Sequence, residues 1–291
     1  MTGMPWMVAA LAAWWMTRAA IGRHEERLVD RKYVRGANGV IVGAEPIHLE
    51  GTRSGAVLLL HGYNDSPQSV ASLAAALHAR GWSVRVPLLP GHGRTLREFA
   101  ASSAREWMEA ARNEFSALRS MHGNLAVGGL SMGAAAAFVL AAEHPEVRAV
   151  VAFAPYLHVS MPVRVLEFVA PIAALGARYV WGGAKRSVHD PVASARMIAY
   201  GRSTPRLLVE LDRIVRRARA ALPQVEQPVL VVQSREDNRM PVRSAEDAFA
   251  HVHSVDKTLH WTTGNGHVVT VDYGHVALEQ LAADWLESRL P

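Results

Sequence analysis

The residues Gly129-Leu130-Ser131-Met132-Gly133 stand between an apolar run, Leu125–Gly128, and an alanine-rich stretch, Met132–Glu143. This setting reads as a strand that reverses sharply into a helix. Glycines two positions either side of the serine are what such a turn needs, because a Cβ at either place would collide with neighbouring backbone. The turn presents the Ser131 hydroxyl above a strand end, at the amino end of the next helix. A serine hydroxyl is a weak nucleophile at neutral pH and needs a base to take its proton and a carboxylate to orient that base. On a strand–turn–helix scaffold the three follow in the order Ser, Asp or Glu, His. Asp237 lies in QSREDNRMP after the apolar run Val229–Gln233, and His267 lies in GNGHVVTVD after Thr258–Thr262. The chemistry these residues offer is acyl transfer through a covalent serine intermediate.

Other candidates carry less. His92 in PLLPGHGRT precedes the acid and reads as a turn residue at a pocket rim. His275 opens the last helical stretch, while His251, His253 and His260 sit on or beside elements. Glu236 adjoins Asp237, and Asp65 and Asp272 read as loop-capping groups. No His, Asp or Glu cluster has metal-ligand spacing and no glycine-rich phosphate cradle occurs, so neither metal nor cofactor is expected.

Four pieces in order, His61-Gly62-Tyr63, Gly91-His92-Gly93, Gly129–Gly133 and Gly266-His267-Val-Val-Thr-Val-Asp272, make the chain resemble the serine α/β-hydrolase family, in its bacterial carboxylesterase and monoacylglycerol lipase branch. The resemblance spans about Ile47 to Leu290 and leaves the first 40 residues unexplained. It implies Ser131 as nucleophile, His267 as general base and then acid, and Asp237 as the carboxylate that fixes the imidazole. It also implies an oxyanion hole from the backbone N–H groups of Tyr63 and Met132. The substrate it implies is a small to medium-chain acyl ester. The same triad also serves amides, thioesters and acyl transfer to alcohols, and hydrolase folds occur as non-catalytic binding modules.

The elements that must position these groups alternate. Strand patterns at Glu45–Glu50, Ala56–Leu60, Ser83–Pro87, Leu125–Gly128, Ala149–Ala154, Val229–Gln233 and Thr258–Thr262 are separated mostly by helical ones at Pro67–Arg80, Ser103–Met121, Met132–Glu143, Ser244–His251 and His275–Arg289. This implies an α/β fold, with a mostly parallel sheet and helices on both faces. From Pro155 to Val225 the strand rhythm stops and amphipathic helical patterns appear at Arg164–Ala174 and Leu207–Leu222. The expected organisation is an apolar helix and linker over 1–40, a core over 41–154 and 226–291, and an inserted helical cap over 155–225. Met161, Val163, Leu166, Phe168, Leu175 and Tyr179 are its candidate acyl-pocket walls, with Tyr63 beside them as a substrate contact.

The chain has 291 residues, half of them hydrophobic and 20% charged, with no cysteine. That excludes disorder, disulfide scaffolds and thiol catalysis. Net charge is +5 from 31 basic and 26 acidic residues, yet residues 155–225 hold 11 Lys and Arg against 4 acidic groups. The excess therefore belongs to the presumed cap, sharpest at Arg213, Arg216, Arg217 and Arg219. A solvated helix face or attraction of anionic headgroups would explain it, whereas nucleic-acid binding is not expected because no recognition motif accompanies it. Met4–Met16 is uncharged and too short to span a bilayer. With no preceding Lys or Arg and no small-residue cleavage site, it reads less as a signal peptide than as a helix packed on the protein or on a second copy, as in a homodimer, or as a membrane-surface anchor carrying Trp6, Trp14 and Trp15. A cytoplasmic protein, with or without membrane association, is the expected setting.

Overall fold

The computed structural model describes residues 4–158, 165, 168–170, 172, 176, 178–181 and 187–290. Its chain begins with helix α1 (Met4–Asp30), followed by strand β1 (Ile47–Leu49), β2 (Gly55–Leu60), helix α2 (Ala71–Ala79) and β3 (Ser83–Val86). Helices α3 (Leu96–Ala101) and α4 (Ala104–Arg119), β4 (Asn124–Leu130), α5 (Met132–Glu143) and β5 (Val147–Phe153) come next. Then follow β6 (Val180–Trp181), α6 (Pro191–Arg196), β7 (Arg202–Ser203), α7 (Pro205–Ala221), β8 (Val229–Ser234), α8 (Val242–His251), β9 (Lys257–Thr262) and α9 (His275–Glu287).

Seven strands form one sheet in the order β1-β3-β2-β4-β5-β8-β9, parallel throughout except for the antiparallel edge strand β1. The run in β2 is apolar at successive positions because both faces are covered. Ala56, Leu58 and Leu60 share a core with Trp107, Phe138 and Ile214, while Val57 and Leu59 share the opposite one with Leu77, Leu278 and Leu286. Alternate residues of one strand thus feed two layers, as the pleat requires. The edge strand β9 is less buried and reads as more polar for that reason.

Helix starts follow local chemistry. Thr95 and Glu98 form a capping box at α3, and the Ser103 side chain accepts from the Glu106 N–H at α4. The short α3 and α6 escape sequence reading because six residues are under two turns and show no period.

Two differences from the sequence expectations concern the additions to the core. First, α1 does not stop at Met16 but continues to Asp30, and its apolar half is not packed on the rest of the protein. Trp6, Val8, Leu11, Met16 and Ile21 are each more than half exposed. Gly22 is closely packed, a Cβ there standing 2.7 Å from Arg178 Cδ, and Glu26 and Val29 beyond it are buried. Second, the interval between β5 and β8 contains an antiparallel pair, β6 with β7, too short to give a strand period. Its last helix, α7, buries Leu207, Ile214 and Ala218 in the layer that holds α5. Much of the expected helix Arg164–Ala174 lies outside the described residues.

Candidate active site

Ser131 sits between β4 and α5 with φ 57° and ψ −115°, a left-handed backbone that a residue other than glycine holds only under constraint. The constraint is visible on both sides. A Cβ at Gly129 would lie 2.3 Å from the Leu60 carbonyl oxygen, and one at Gly133 would lie 2.1 Å from the same atom. Only glycine lets the turn nest against β2. The Ser131 N–H donates to the Phe153 carbonyl at 2.9 Å, and its own carbonyl accepts from Ala135 and Tyr156.

The structure brings Ser131, His267 and Asp237 into one line. Ser131 Oγ and His267 Nε2 are 2.8 Å apart, and His267 Nδ1 lies 2.7 Å from Asp237 Oδ2. Asp237 Oδ1 accepts from the backbone N–H groups of Arg239 and Met240, and Oδ2 accepts from the Gln233 side chain at 2.7 Å. Burial alone would push the Asp237 carboxyl up, but the facing His267 and these N–H donors hold it below the usual carboxylate range. Since that carboxylate can only accept, Nδ1 of His267 carries a proton and Nε2 is left to accept from the serine. Such a line can take the proton from a serine hydroxyl as it attacks an acyl carbon.

The loop His61-Gly62-Tyr63 lies against the serine, with an ideal Cβ at Gly62 3.5 Å from Ser131 Cβ. Its conformation is fixed by His61, whose Nε2 accepts from the Leu89 N–H and whose Nδ1 faces the Gly62 carbonyl at 2.9 Å. Burial depresses His61 to a pKa of about 4, against the backbone contact to Gly62 that favours its charge, so the ring stays neutral. The first N–H of α5, on Met132, has no preceding helical turn to supply an acceptor.

His92 is buried against His61, Phe99 and Trp107 and turns Nδ1 to the Pro90 carbonyl. His275 opens α9, and Glu236 accepts from the Gly264 N–H. Met161, Val163, Leu166 and Leu175 lie outside the described residues. Phe168 is 87% exposed and lines a cleft of about 660 Å³ with Leu157, Val215 and Arg243, whose walls include neither Ser131 nor His267. Tyr179 is turned the other way, donating its hydroxyl to Glu26 of α1 at 2.7 Å. Of the basic cluster, Arg213 pairs with Glu210, Arg216 with Asp212 and Arg219 with Asp247.

Asp272 and Asp65, both expected as loop-capping groups, differ sharply in their surroundings. Asp272 accepts four backbone N–H bonds at 2.7–2.8 Å, two on each oxygen, from His189, Gly266, Asp190 and Tyr273. It thereby fastens the loop carrying His267 to the start of α6. Burial opposes its charge, but the four donors together hold it below the usual range. Asp65 is the reverse case, a carboxyl beside Gly62 that burial pushes up to about 7 despite contacts from Ser69, Ser66 and Gly62.

A mostly parallel sheet flanked by helices, with a serine on the turn after β4 and its partners in loops after β8 and β9, defines the α/β-hydrolase class. The chain belongs to the family described as serine aminopeptidase, S33, whose model matches residues 51–273. It is 28% identical over 240 residues to a thermostable monoacylglycerol lipase of Bacillus sp. (strain H-257), covering 80% of this chain and 90% of that one. It is 24% identical to a carboxylesterase of Bacillus subtilis (strain 168), covering 80% and 92%. Among solved structures, one described under two metagenome-derived lipolytic enzymes, LipS and LipT, superposes with a TM-score of 0.79 at 28% identity, covering 86% of this chain and 99% of that one.

The two acids should respond oppositely to substitution. Asp272 has a depressed folded pKa, so its contribution is present above its unfolded value near 3.9 and is lost as pH falls. Asp272→Asn, which turns an amide donor toward backbone donors, is expected to lower Tm at pH 7 by on the order of 5 °C and to flatten the acid-side decline. Asp65 has a raised folded pKa, so stability falls as pH rises from about 4 toward 7. Asp65→Asn should therefore raise Tm at pH 8 and change it little at pH 4, as thermal scans across pH would show.

Proposed function

We propose that the protein is a serine carboxylic-ester hydrolase acting through an acyl-enzyme on small to medium-chain acyl esters. The observation that carries this reading is the hydrogen-bonded line Ser131–His267–Asp237 at the carboxyl edge of the sheet. Ser131 Oγ attacks the ester carbonyl carbon while its proton passes to His267 Nε2. The carbonyl oxygen becomes an anion and accepts from the N–H groups of Tyr63 and Met132, each such donor being worth about 3 kcal/mol of barrier. The intermediate collapses, the C–O bond to the alcohol breaks, and His267 returns the proton to the departing oxygen. Water then repeats the sequence on the acyl-enzyme and regenerates the Ser131 hydroxyl. The relatives named as a monoacylglycerol lipase and a carboxylesterase support esters over amides or thioesters. Residues 155–225 serve as the cap, supported by the bonds that join them to Asn64 and Asp272.

The partner for the exposed half of α1 is a lipid surface rather than a second copy. Its 13 uncharged residues rise about 20 Å, enough to enter one leaflet, and no described helix is long and apolar enough to cross a membrane. Trp14 and Trp15 carry the Arg18 guanidinium above them, an amphipathic cluster suited to the headgroup level. The paired arginines of α7 make the cap the weaker contact. This setting is a cytoplasmic enzyme held at a membrane face.

Ser131→Ala should lower kcat on a p-nitrophenyl ester by about three orders of magnitude or more and abolish labelling by a fluorophosphonate probe. Residual activity within tenfold of wild type would sink the assignment. Wild-type protein should co-sediment with anionic phospholipid vesicles, and the W6S/W14S/W15S variant should lose most of that binding while keeping its esterase rate. Equal binding by both would remove the lipid role of α1.

A further inference from the structure

Helix α1 lies outside the matched family region, residues 51–273, yet its charged half reaches the loop beside the nucleophile through one residue. The Arg202 guanidinium donates Nε–H to Glu25 Oε2 at 2.7 Å and lies 4.7 Å from the Trp181 ring centroid. The backbone carbonyl of the same Arg202 accepts from Asn64 Nδ2 at 3.0 Å, and Asn64 Oδ1 accepts from the Tyr200 N–H at 3.0 Å. Next along the chain, the Ser203 hydroxyl is hydrogen-bonded to the Tyr63 hydroxyl. Tyr63 and Asn64, the two residues that follow His61-Gly62, are therefore both held by the segment 200–203.

That hold has work to do. Asn64 is buried with φ 56°, a left-handed conformation that costs on the order of 1–3 kcal/mol unless its surroundings impose it. Its side chain is the template: one amide group satisfies the Tyr200 N–H and the Arg202 carbonyl. Arg202 opens a strand only two residues long, β7, and Gly201 just before it has φ 64° with nothing within 4 Å of an ideal Cβ. Tyr200, on one side of that glycine, is buried and its hydroxyl donates to the Gly91 carbonyl and accepts from the Arg94 N–H, whereas Arg202, on the other side, reaches outward. Glu25 grips it from outside, on a helix that is anchored elsewhere by Glu26 to Arg178 and Tyr179 and by Asp30 to the Leu96 N–H, while Tyr33, just beyond the helix, holds Ala199 next to the segment.

We infer that Glu25 is a positioning residue for the oxyanion loop: through Arg202 it fixes the segment that holds Asn64 and Tyr63, and so the direction of the Tyr63 N–H. The inference rests on the reading of Ser131 and Tyr63 above and adds to it that the helix reaching toward lipid also sets the geometry of the catalytic centre. A displacement of about 1 Å at a reacting group costs up to about a hundredfold in rate, so a modest loosening of this segment reads out in kcat.

The test is steady-state esterase kinetics on full-length protein with a water-soluble p-nitrophenyl ester, alongside thermal unfolding. Glu25→Gln is expected to lower kcat roughly tenfold with KM within about twofold, since the loss falls on transition-state contacts. Glu26→Gln, which weakens the same helix's grip elsewhere, should lower Tm but leave kcat within about twofold. The charge-swapped E25R/R202E double variant should recover kcat to within about threefold of wild type, while R202E alone should not. The inference is overturned if Glu25→Gln retains wild-type kcat, if Glu25→Gln and Glu26→Gln lower kcat equally, or if the double variant shows no recovery. Ser131→Ala on the same substrate tests the underlying reading separately, because turnover that survives it would invalidate the triad whatever Glu25 does.

Discussion

The contact on which the site depends is the approach of the β4–α5 turn to the end of β2. Ideal Cβ atoms at Gly129 and Gly133 would both lie within 2.3 Å of the Leu60 carbonyl oxygen. Without side chains at these positions, the turn can drop against β2 and the nucleophile can adopt φ 57°. Two consequences follow from that one approach. Ser131 is raised above the sheet edge with its hydroxyl free of capping duty. His61 and Gly62, which continue β2, are brought against it, so a donor loop and a nucleophile share one backbone junction. Strain at the serine is sustained by the packing of β2, β4 and α5, all of them fully or nearly fully buried.

Around that junction the protein buries several ionisable groups, and it keeps each in the state its neighbours demand. Asp237 and Asp272 are given N–H donors to every oxygen and stay charged in spite of burial. His61 is given one donor and one acceptor and stays neutral. Asp65 receives fewer bonds than its burial requires and titrates near 7. The difference decides what each can do: a charged Asp237 fixes the imidazole tautomer, and a neutral His61 keeps a ring nitrogen able to accept from the Leu89 N–H and so shapes the loop.

Much of this was legible in the sequence, for identifiable reasons. β2, β4 and β8 are buried on both faces and appear as continuous apolar runs, and α5 matches its expected span because the glycine turn and a polar break bound it. Ser131, Asp237 and His267 follow from the turn and the chain order. What could not be read were contacts between distant segments whose residues have common types. Nothing local distinguishes Asn64 from a loop asparagine, or Arg202 from the other basic residues of its interval, until the fold sets residue 64 beside residues 200 and 202. Likewise Asp272 looks like any loop acid, because its four donors come partly from residues more than eighty positions away. Tyr179, a candidate pocket wall by sequence, instead donates its hydroxyl to Glu26.

The charge of the interval 155–225 is used in the fold differently from what its composition suggests. Read as composition, its excess of 11 basic over 4 acidic residues suggests a surface that attracts anions. In the fold much of it is spent internally. Arg213 and Arg216 pair within α7, Arg219 bridges to α8, and Arg178 and Arg202 face Glu26 and Glu25 of α1. The acidic partners of those last two arginines lie in the segment that sequence comparison with the family leaves unmatched. Basic residues of the interval and acidic residues of α1 are therefore complementary parts of one interface. That complementarity gives α1 two unlike halves: an uncharged end exposed to whatever surrounds the protein, and a charged end closed against the segment that holds Tyr63.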